Sequence, residues 1–497
     1  MSRSCFCSVS CRWLRTRRRW RLCLMCSLRR RRRQWPCQRC FLSALFRLMS
    51  ISLDLPMADC EPLALDQISD VLRNFVEPGE AVAVAVSGGP DSMALAFCLH
   101  RYGAKVQGLI VEHGLRPESP YEAQHVASCL RARGIEAEVL AWQHGPIESR
   151  IHVQARMARY ALLREKCRAL GLSKLFLAHH ADDQAETVLL RLSKGSGIDG
   201  LGGMAPRYEQ EGVWHLRPFL GVRKAALVAT CDANNVPFVI DPSNAKESYA
   251  RGRLRKVTEA LAEEGLTTER LVDLADRARE AREALDFYTY RALRVVSQWV
   301  EGGGLLLDLP KLEAVPLALR YRILAACLQA LHPSDYPPER QKLTAVLNWL
   351  LGEGHSRGLT LAGCYIHRNE GRRTALFVRE LAAIPPVTPI ISGQEVIWDH
   401  RWRVRLSQAL PSDVEGGAAF FLAPLGMRSW VTLERVAPSL RRQIPSGLIR
   451  ATLPALWHGG ADAPVLWAVP SFSEQNQDII IAKSLPPFWL KLPLEPL

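Results

Sequence analysis

Two strings in this sequence combine residue types able to do chemistry. The first, Ser87-Gly-Gly-Pro-Asp-Ser92, directly follows the apolar run Ala81-Val-Ala-Val-Ala-Val86. Its adjacent glycines allow positive φ and let main chain approach a ligand closely. Consecutive free amides ahead of a helix N-terminus make a site for a phosphate-type anion, and the hydroxyls of Ser87 and Ser92 add donors. Pro90 suits the first helical turn, where its missing N–H costs nothing. Asp91 is the odd member: a carboxylate repels a neighbouring phosphate unless a cation intervenes, which points to Mg2+. A tight turn capped by Ser and Asp would use the same residue types without a ligand, but the whole string is more specific than a Gly-Gly turn. It lacks the Gly-Lys-Ser/Thr ending of an ordinary P-loop.

The second string is Ala178-His-His-Ala-Asp-Asp-Gln-Ala-Glu-Thr187. On a helix, Asp182 and Glu186 are four apart and share a face. With Asp183 they form a carboxylate group that could hold a primary ammonium, orient it and accept its proton. The bland alternative is capping, since acids at a helix N-terminus favour the dipole with no ligand at all; Asp182 can do both. His179 and His180 are as well suited to packing as to catalysis. His113 and Arg116 lie in a third string, Val111-Glu-His-Gly-Leu-Arg-Pro117, and could face nucleotide phosphates.

Positioning these strings requires a particular scaffold. From Glu80 to about Val239 short β-branched runs alternate with helical patterns. Strands are expected at 81–86, 105–112, 136–142 and 175–178, and helices at 91–101, 118–134, 151–170 and about 183–194. Such repeats imply a doubly wound α/β parallel sheet covered on both faces. Ligands bind such sheets at the carboxyl ends of strands, which places the chemistry after Val86, Val111 and Ala178. Residues 246–300 and 317–351 read as helical, with a break near Pro333. Three prolines between Leu381 and Pro389 suggest a boundary, and short β-type runs such as Trp398 to Leu406 follow it. The expected organisation is a leader at 1–56, a catalytic domain at 57–245, a helical domain at 246–380 and a small α+β domain at 381–497.

The net charge of +14 suggests a nucleic-acid partner, but it is concentrated. Residues 1–50 hold fourteen arginines and no acid; removing them from the 64 basic residues leaves 50, against 50 acids. RNA contacts beyond the leader must therefore come from local patches, such as Arg320 and Arg322, Arg340 and Lys342, or Arg401, Arg403 and Arg405. The leader's Cys23/Cys26 and Cys37/Cys40 pairs have a zinc-like spacing, yet the run Arg29 to Arg33 is self-repelling and offers no core to support a metal. Its composition also fits a transit peptide, a basic RNA-binding arm, or an upstream stretch translated in error before Met49 or Met57. The other seven cysteines are scattered, as suits reduced thiols in a cytoplasmic protein. No apolar run is long enough to span a membrane.

The first loop resembles that of the ATP pyrophosphatases, or PP-loop superfamily, which cleave ATP between the α and β phosphates. In order and spacing, the three strings resemble the tRNA(Ile)-lysidine synthases. So do Gly195-Ser-Gly-Ile-Asp-Gly-Leu-Gly-Gly-Met204, Arg217-Pro218, Asp241-Pro-Ser-Asn244 and the arginines Arg251, Arg253 and Arg255. The match is strongest from Val82 to Arg255. It departs from the family at Gly252, where Asn is usual.

The resemblance implies adenylation of the wobble cytidine C2 oxygen in a tRNA(Ile) with a CAU anticodon, then displacement of AMP by the ε-amine of free L-lysine. It implies ATP and Mg2+ as cofactors. Asp91, Asp182 and Glu186 would be catalytic; Ser87–Ser92, His113 and Arg116 would bind ATP; Asp182, Asp183 and Glu186 would bind lysine. Arg251, Arg253, Arg255 and Arg340 would grip tRNA phosphates, although the first three could equally form an exposed face paired to acids. Two rivals stay open, a tRNA 2-thiolation enzyme and a non-catalytic RNA-binding relative. Oligomeric state is open too, a homodimer included.

Overall fold

The computed structural model describes residues 61–114, 119–145, 151–239 and 258–391, with short breaks at 259, 335–336, 353–357 and 386. Beyond these it describes 395–406, 420–426, 444–458 except 445, 465–468, 480–484 and 487. The leader and its cysteine pairs, Arg116, residues 241–244, and Arg251, Arg253 and Arg255 lie outside the described residues.

The chain from Pro62 on forms one unit. It opens with α1 (Leu65–Leu72), then β1 (Ala81–Ala85), α2 (Pro90–Tyr102), β2 (Lys105–Glu112), α3 (Ser119–Arg131) and β3 (Glu136–Ala141). Next come α4 (Ile151–Ala169), β4 (Lys174–Phe176), α5 (Ala181–Ser193), α6 (Ile198–Leu201), β5 (Arg207–Gln210), β6 (Val213–Leu216) and α7 (Lys224–Ala233). Six strands form a sheet in the order β3-β2-β1-β4-β6-β5, parallel except for the β5–β6 hairpin.

Alternation along β1 explains the two covered faces. Val82, Val84 and Val86 pack in the larger core with residues of α1, α2, α3 and α7. Ala83 points into the smaller core under α4, beside Leu109, Leu163 and Cys167. The expected parallel sheet is therefore present, with helix and strand ends within two or three residues of those read from sequence.

The long helix α8 (Thr268–Val296) packs Leu271 and Ala275 against Ala185, Val188 and Leu189 of α5. Thr267 caps it, accepting from the Arg270 amide. The stretch expected to be helical does contain helices, α8, α9 (Leu309–Ala314), α10 (Leu317–Leu331) and α11 (Arg340–Leu351). It also carries an antiparallel sheet that was not anticipated, ordered β7-β8-β11-β10-β9. Its strands are β7 (Ser297–Val300), β8 (Gly304–Asp308), β9 (Gly358–Leu361), β10 (Cys364–Asn369) and β11 (Thr374–Arg379). Helices and sheet share one core, from Leu293 to Phe377.

A third core begins at Val378. After the short β12 (Thr388–Pro389), it gathers residues of β13 (Glu395–Trp398), β14 (Trp402–Leu406), β15 (Phe420–Pro424) and β16 (Pro454–His458) around Trp398, Trp402, Val404 and Leu422. No helix among the described residues is long and apolar enough to cross a membrane.

Candidate active site

β1 ends one residue before the loop. The amide of Val86 still bonds to Leu109 of β2, and the chain then turns through Gly88 at φ +85°. A Cβ on Gly88 would lie 2.6 Å from Val126 Cγ2, so glycine is required for space as well as for φ. α2 starts at Pro90 with Gly89 as its N-cap and no side-chain cap. The amides of Gly88, Gly89, Asp91 and Ser92 make no hydrogen bond among the described residues. These are the bare donors expected of an anion site.

Two details correct the sequence reading. The Ser87 amide is not bare, because it donates to Ser92 Oγ at 3.1 Å. The Ser92 hydroxyl is buried and donates to the Gly89 carbonyl at 3.0 Å. Ser92 therefore braces the loop and is not a free donor.

β4 leads to α5, which starts at Ala181, two residues before the expected helix start, with His180 as its N-cap. The Asp183 amide meets His180 Nδ1 at 3.4 Å, and the His180 amide meets Asp183 Oδ2 at 3.3 Å. This reciprocal pair is a capping box built on histidine. Asp182, Asp183 and Glu186 fall on the first two turns, as expected, and Glu186 is buried. Asp182 is tightly held: Arg223 Nε reaches Oδ1 at 3.2 Å and the Lys224 amide reaches Oδ2 at 2.8 Å.

The two strings meet at His180. Its buried ring lies 3.7 Å from Asp91 Oδ2, 3.5 Å from Asp182 Oδ2 and 3.4 Å from Asp183 Oδ2. Burial alone would lower its pKa, but the bond to Asp182 and the surrounding carboxylates raise it above the ordinary value. Burial also opposes ionisation of Asp182, yet His180, the Lys224 amide and Arg223 bring that carboxyl down to about 2. At Asp91 burial wins: its pKa is raised despite His180 and Lys224, whose Nζ is 3.9 Å away. Asp91 Oδ1 is buried without a hydrogen-bond partner among the described residues. No cluster of three or more His, Cys, Asp or Glu among the described residues could hold a metal unaided.

Sequence reasoning missed Arg223 and Lys224, and it quoted Arg217 only within Arg217-Pro218, without a role. Arg217 Nε donates to His179 Nδ1 at 3.1 Å, which makes His179 an acceptor in the framework. All three contact residues about forty positions away, so no local pattern announces them. The glycine-rich string after α5 packs against Gln184, whose side chain clasps Met204 through both amide atoms at 3.1 and 2.7 Å. A Cβ at Gly203 would strike that side chain.

Among the basic patches, Arg401 is a correction: it is fully buried and bonded to Asp399, Gly303 and Thr452. Arg320 bonds to main-chain carbonyls, and Arg322 pairs with Asp199 and Asp286. Arg340 is exposed, with its guanidinium 4.2 Å above the Tyr321 ring.

A parallel sheet with a glycine loop of open amides at its central strand end defines a nucleotide-binding α/β protein of the PP-loop class, and residues 63–261 match the PP-loop domain family. A tRNA(Ile)-lysidine synthase from Methylobacterium nodulans is 41% identical over 320 residues, 62% of this chain and 94% of its own. That from Ruegeria pomeroyi is 37% identical over 347 residues, 69% of this chain and 81% of its own. The chain belongs to the tRNA(Ile)-lysidine synthase family. Among solved structures, a U34-tRNA thiolase from Methanococcus maripaludis is similar over 44% of this chain and 77% of its own, at 16% identity and a TM-score of 0.38, too loose a likeness to argue from.

Proposed function

We propose that this chain is an ATP-dependent ligase that joins free L-lysine to the wobble cytidine of tRNA(Ile) bearing a CAU anticodon. The observation that carries the reading is the run of amides at Gly88, Gly89, Asp91 and Ser92, unbonded among the described residues, on a loop whose Asp91 reaches His180 at the start of the acidic helix α5. In the first step the cytidine C2 oxygen attacks the α-phosphorus of ATP, and the bond to the bridging oxygen breaks. Pyrophosphate leaves while held against the loop amides. In the second step the lysine ε-nitrogen attacks C2, the C–O bond breaks, and AMP leaves.

The lysine ammonium must lose a proton before it can attack. Asp182, Asp183 and Glu186 are placed to bind it, with Glu186 and Asp183 the better candidates for accepting the proton. Asp182 already accepts from Arg223 and from the Lys224 amide, so besides its share in binding the ammonium it sets the helix end. Asp91 Oδ1, buried and without a hydrogen-bond partner among the described residues, would be a protein ligand for Mg2+. Bound there, the cation would offset the charge of the departing phosphates.

Arg251, Arg253, Arg255 and Arg340 remain the proposed tRNA contacts, and His113 and Arg116 the proposed nucleotide contacts. We place the enzyme in the cytoplasm; a homodimer is compatible with this reading.

Sulfur transfer finds no support in the buried thiols of the catalytic sheet. Burial pushes Cys98 and Cys231 up to about 12 and Cys167 up to about 11, and a thiolate is the reactive form. The test is direct. Purified protein with ATP, lysine and the cognate tRNA should release pyrophosphate and incorporate labelled lysine. Sulfur incorporation, or RNA binding without pyrophosphate release, would overturn the reading in favour of one or other rival.

A further inference from the structure

At the carboxyl end of β2 the His113 ring meets a single guanidinium. Arg159 Nε lies 3.1 Å and Nη2 2.8 Å from His113 Nε2. A guanidinium has only donors and keeps its charge. Nε2 must therefore offer its lone pair, which leaves the ring proton on Nδ1. Burial, then the Arg159 charge, push the pKa of the ring down to about 4, in keeping with a neutral imidazole. The residue is also held from its other side, with His144 Nε2 3.0 Å from the His113 carbonyl and the Trp142 ring edge-on at 6.2 Å.

Nδ1 is buried and has no hydrogen-bond partner among the described residues. A buried donor without an acceptor is unfavourable, so this one is arranged for a group that arrives. Its location says which. β1 and β2 pair until Ala85 opposite Leu109, and His113 follows four residues later. It comes directly after the last residue of β2, Glu112, at the same carboxyl edge of the sheet as the loop that follows the neighbouring strand β1.

We infer that Arg159 is a positioning residue that fixes His113 as a neutral Nδ1–H donor to an acceptor atom of bound ATP. This rests on the ATP reading of the loop and extends it to an atom, a tautomer and the residue that sets the tautomer. In this role Arg159 touches no substrate and acts only through the ring.

Substitutions and one spectrum test it. His113→Gln, whose amide reaches toward the Nε2 position, should raise KM for ATP about tenfold with kcat within about threefold, as expected for one lost hydrogen bond. His113→Asn, whose amide N–H falls where Nδ1 stood, should recover most of that loss. Arg159→Met should raise KM for ATP about tenfold alone and add nothing on the His113→Asn background. KM for lysine and for tRNA should not move.

Long-range 1H–15N spectra of histidine-labelled full chain, with His113 assigned by its absence in His113→Asn, should show the Nδ1–H tautomer. A charged or Nε2–H ring, equal damage from Asn and Gln, or the same Arg159→Met effect on both backgrounds would each overturn the inference. Should Arg159→Met fail to fold, the spectrum and the Asn/Gln pair still decide. Wild-type protein that releases no pyrophosphate would instead remove the ATP reading itself.

Discussion

His180 Nε2 lies 3.7 Å from Oδ2 of Asp91, so the residue that caps the acid helix also faces the acid of the phosphate loop. The nucleotide end and the amine end of the site are thus one charge cluster with a histidine at its centre. A cation at Asp91 and an ammonium near α5 would both be felt by the same ring. The two strings lie about ninety residues apart in sequence, and the parallel pairing of β1 with β4 brings their ends together.

Asp91 separates chemistry from stability. Burial raises its pKa, so the ionised form is held against its preference. The sign follows: its favourable contribution is present at low pH and is lost as pH rises through the raised value. Asp91→Asn removes the charge with little change of shape. It should leave Tm at or above that of wild type, lower pyrophosphate release about 10²-fold or more, and leave tRNA affinity within about twofold. Parallel loss of tRNA binding in a filter assay would mean that the loop is structural.

Asp182 behaves in the opposite sense. Its carboxyl falls from the ordinary 3.8 to about 2 because His180, the Lys224 amide and Arg223 outweigh burial. A depressed carboxylate stabilises the fold above its unfolded pKa, and that contribution is lost as pH falls toward 2. Nearly two pKa units correspond to about 2 kcal/mol. Asp182→Asn should therefore lower the unfolding free energy by about that much at pH 7, with the gap to wild type closing between about pH 5 and 2. Urea denaturation across that range checks it, and a gap independent of pH would rule out the carboxylate as its source.

What could be read in advance follows from the range of the interactions. β1, its loop and α2 are legible because strand pattern, glycines and Pro90 are local signals. His180 as N-cap is not, since histidine is an uncommon cap and two acids just after it look like the helix start. Arg159 and Arg223 act across about forty residues, so only the fold reveals them, and only the fold shows that Arg217 bonds to His179. The five-stranded sheet was missed because its strands are four to six residues long and interrupted by helices. Arg401 was grouped with Arg403 and Arg405 by their spacing of two, but β14 starts only at Trp402. Arg401 belongs to the preceding turn, where strand alternation does not set direction.

Gly88 tests whether the loop needs glycine for conformation, for space, or for both. Its φ is +85°, and an added Cβ would sit 2.6 Å from Val126 Cγ2. Gly88→Ala should be destabilising by about 1–2 kcal/mol from φ alone, with the contact adding more. Val126→Ala removes the opposing methyl, so the double variant should be more stable than the sum of the singles by about 1 kcal/mol. Some loss should persist, because φ is unchanged. Strict additivity in thermal melts would show that the loop shifts away from Val126 and that space is not the constraint.

A second charge group, fully buried, lies on Arg379, Asp399 and Arg401. Asp399 Oδ1 accepts from Arg379 Nε at 3.0 Å, and Oδ2 accepts from Arg401 Nε at 2.8 Å. All three side chains are at most 3% exposed. The arginines also reach the carbonyls of Gly303, Gly363 and Thr452, so one carboxylate ties the end of β11, the turn before β14 and the β7–β8 turn together. Asp399→Asn keeps the shape and tolerates the positive φ of 47° at this position, but it leaves two guanidinium groups buried without an anion. Breaking a buried pair in this way is destabilising by about 3–5 kcal/mol. Chemical denaturation should show a loss of that size, while affinity for ATP stays within about twofold because the PP-loop sheet is untouched. A loss below about 1 kcal/mol would mean that water reaches the arginines, and that this group does not hold the C-terminal strands to the middle sheet.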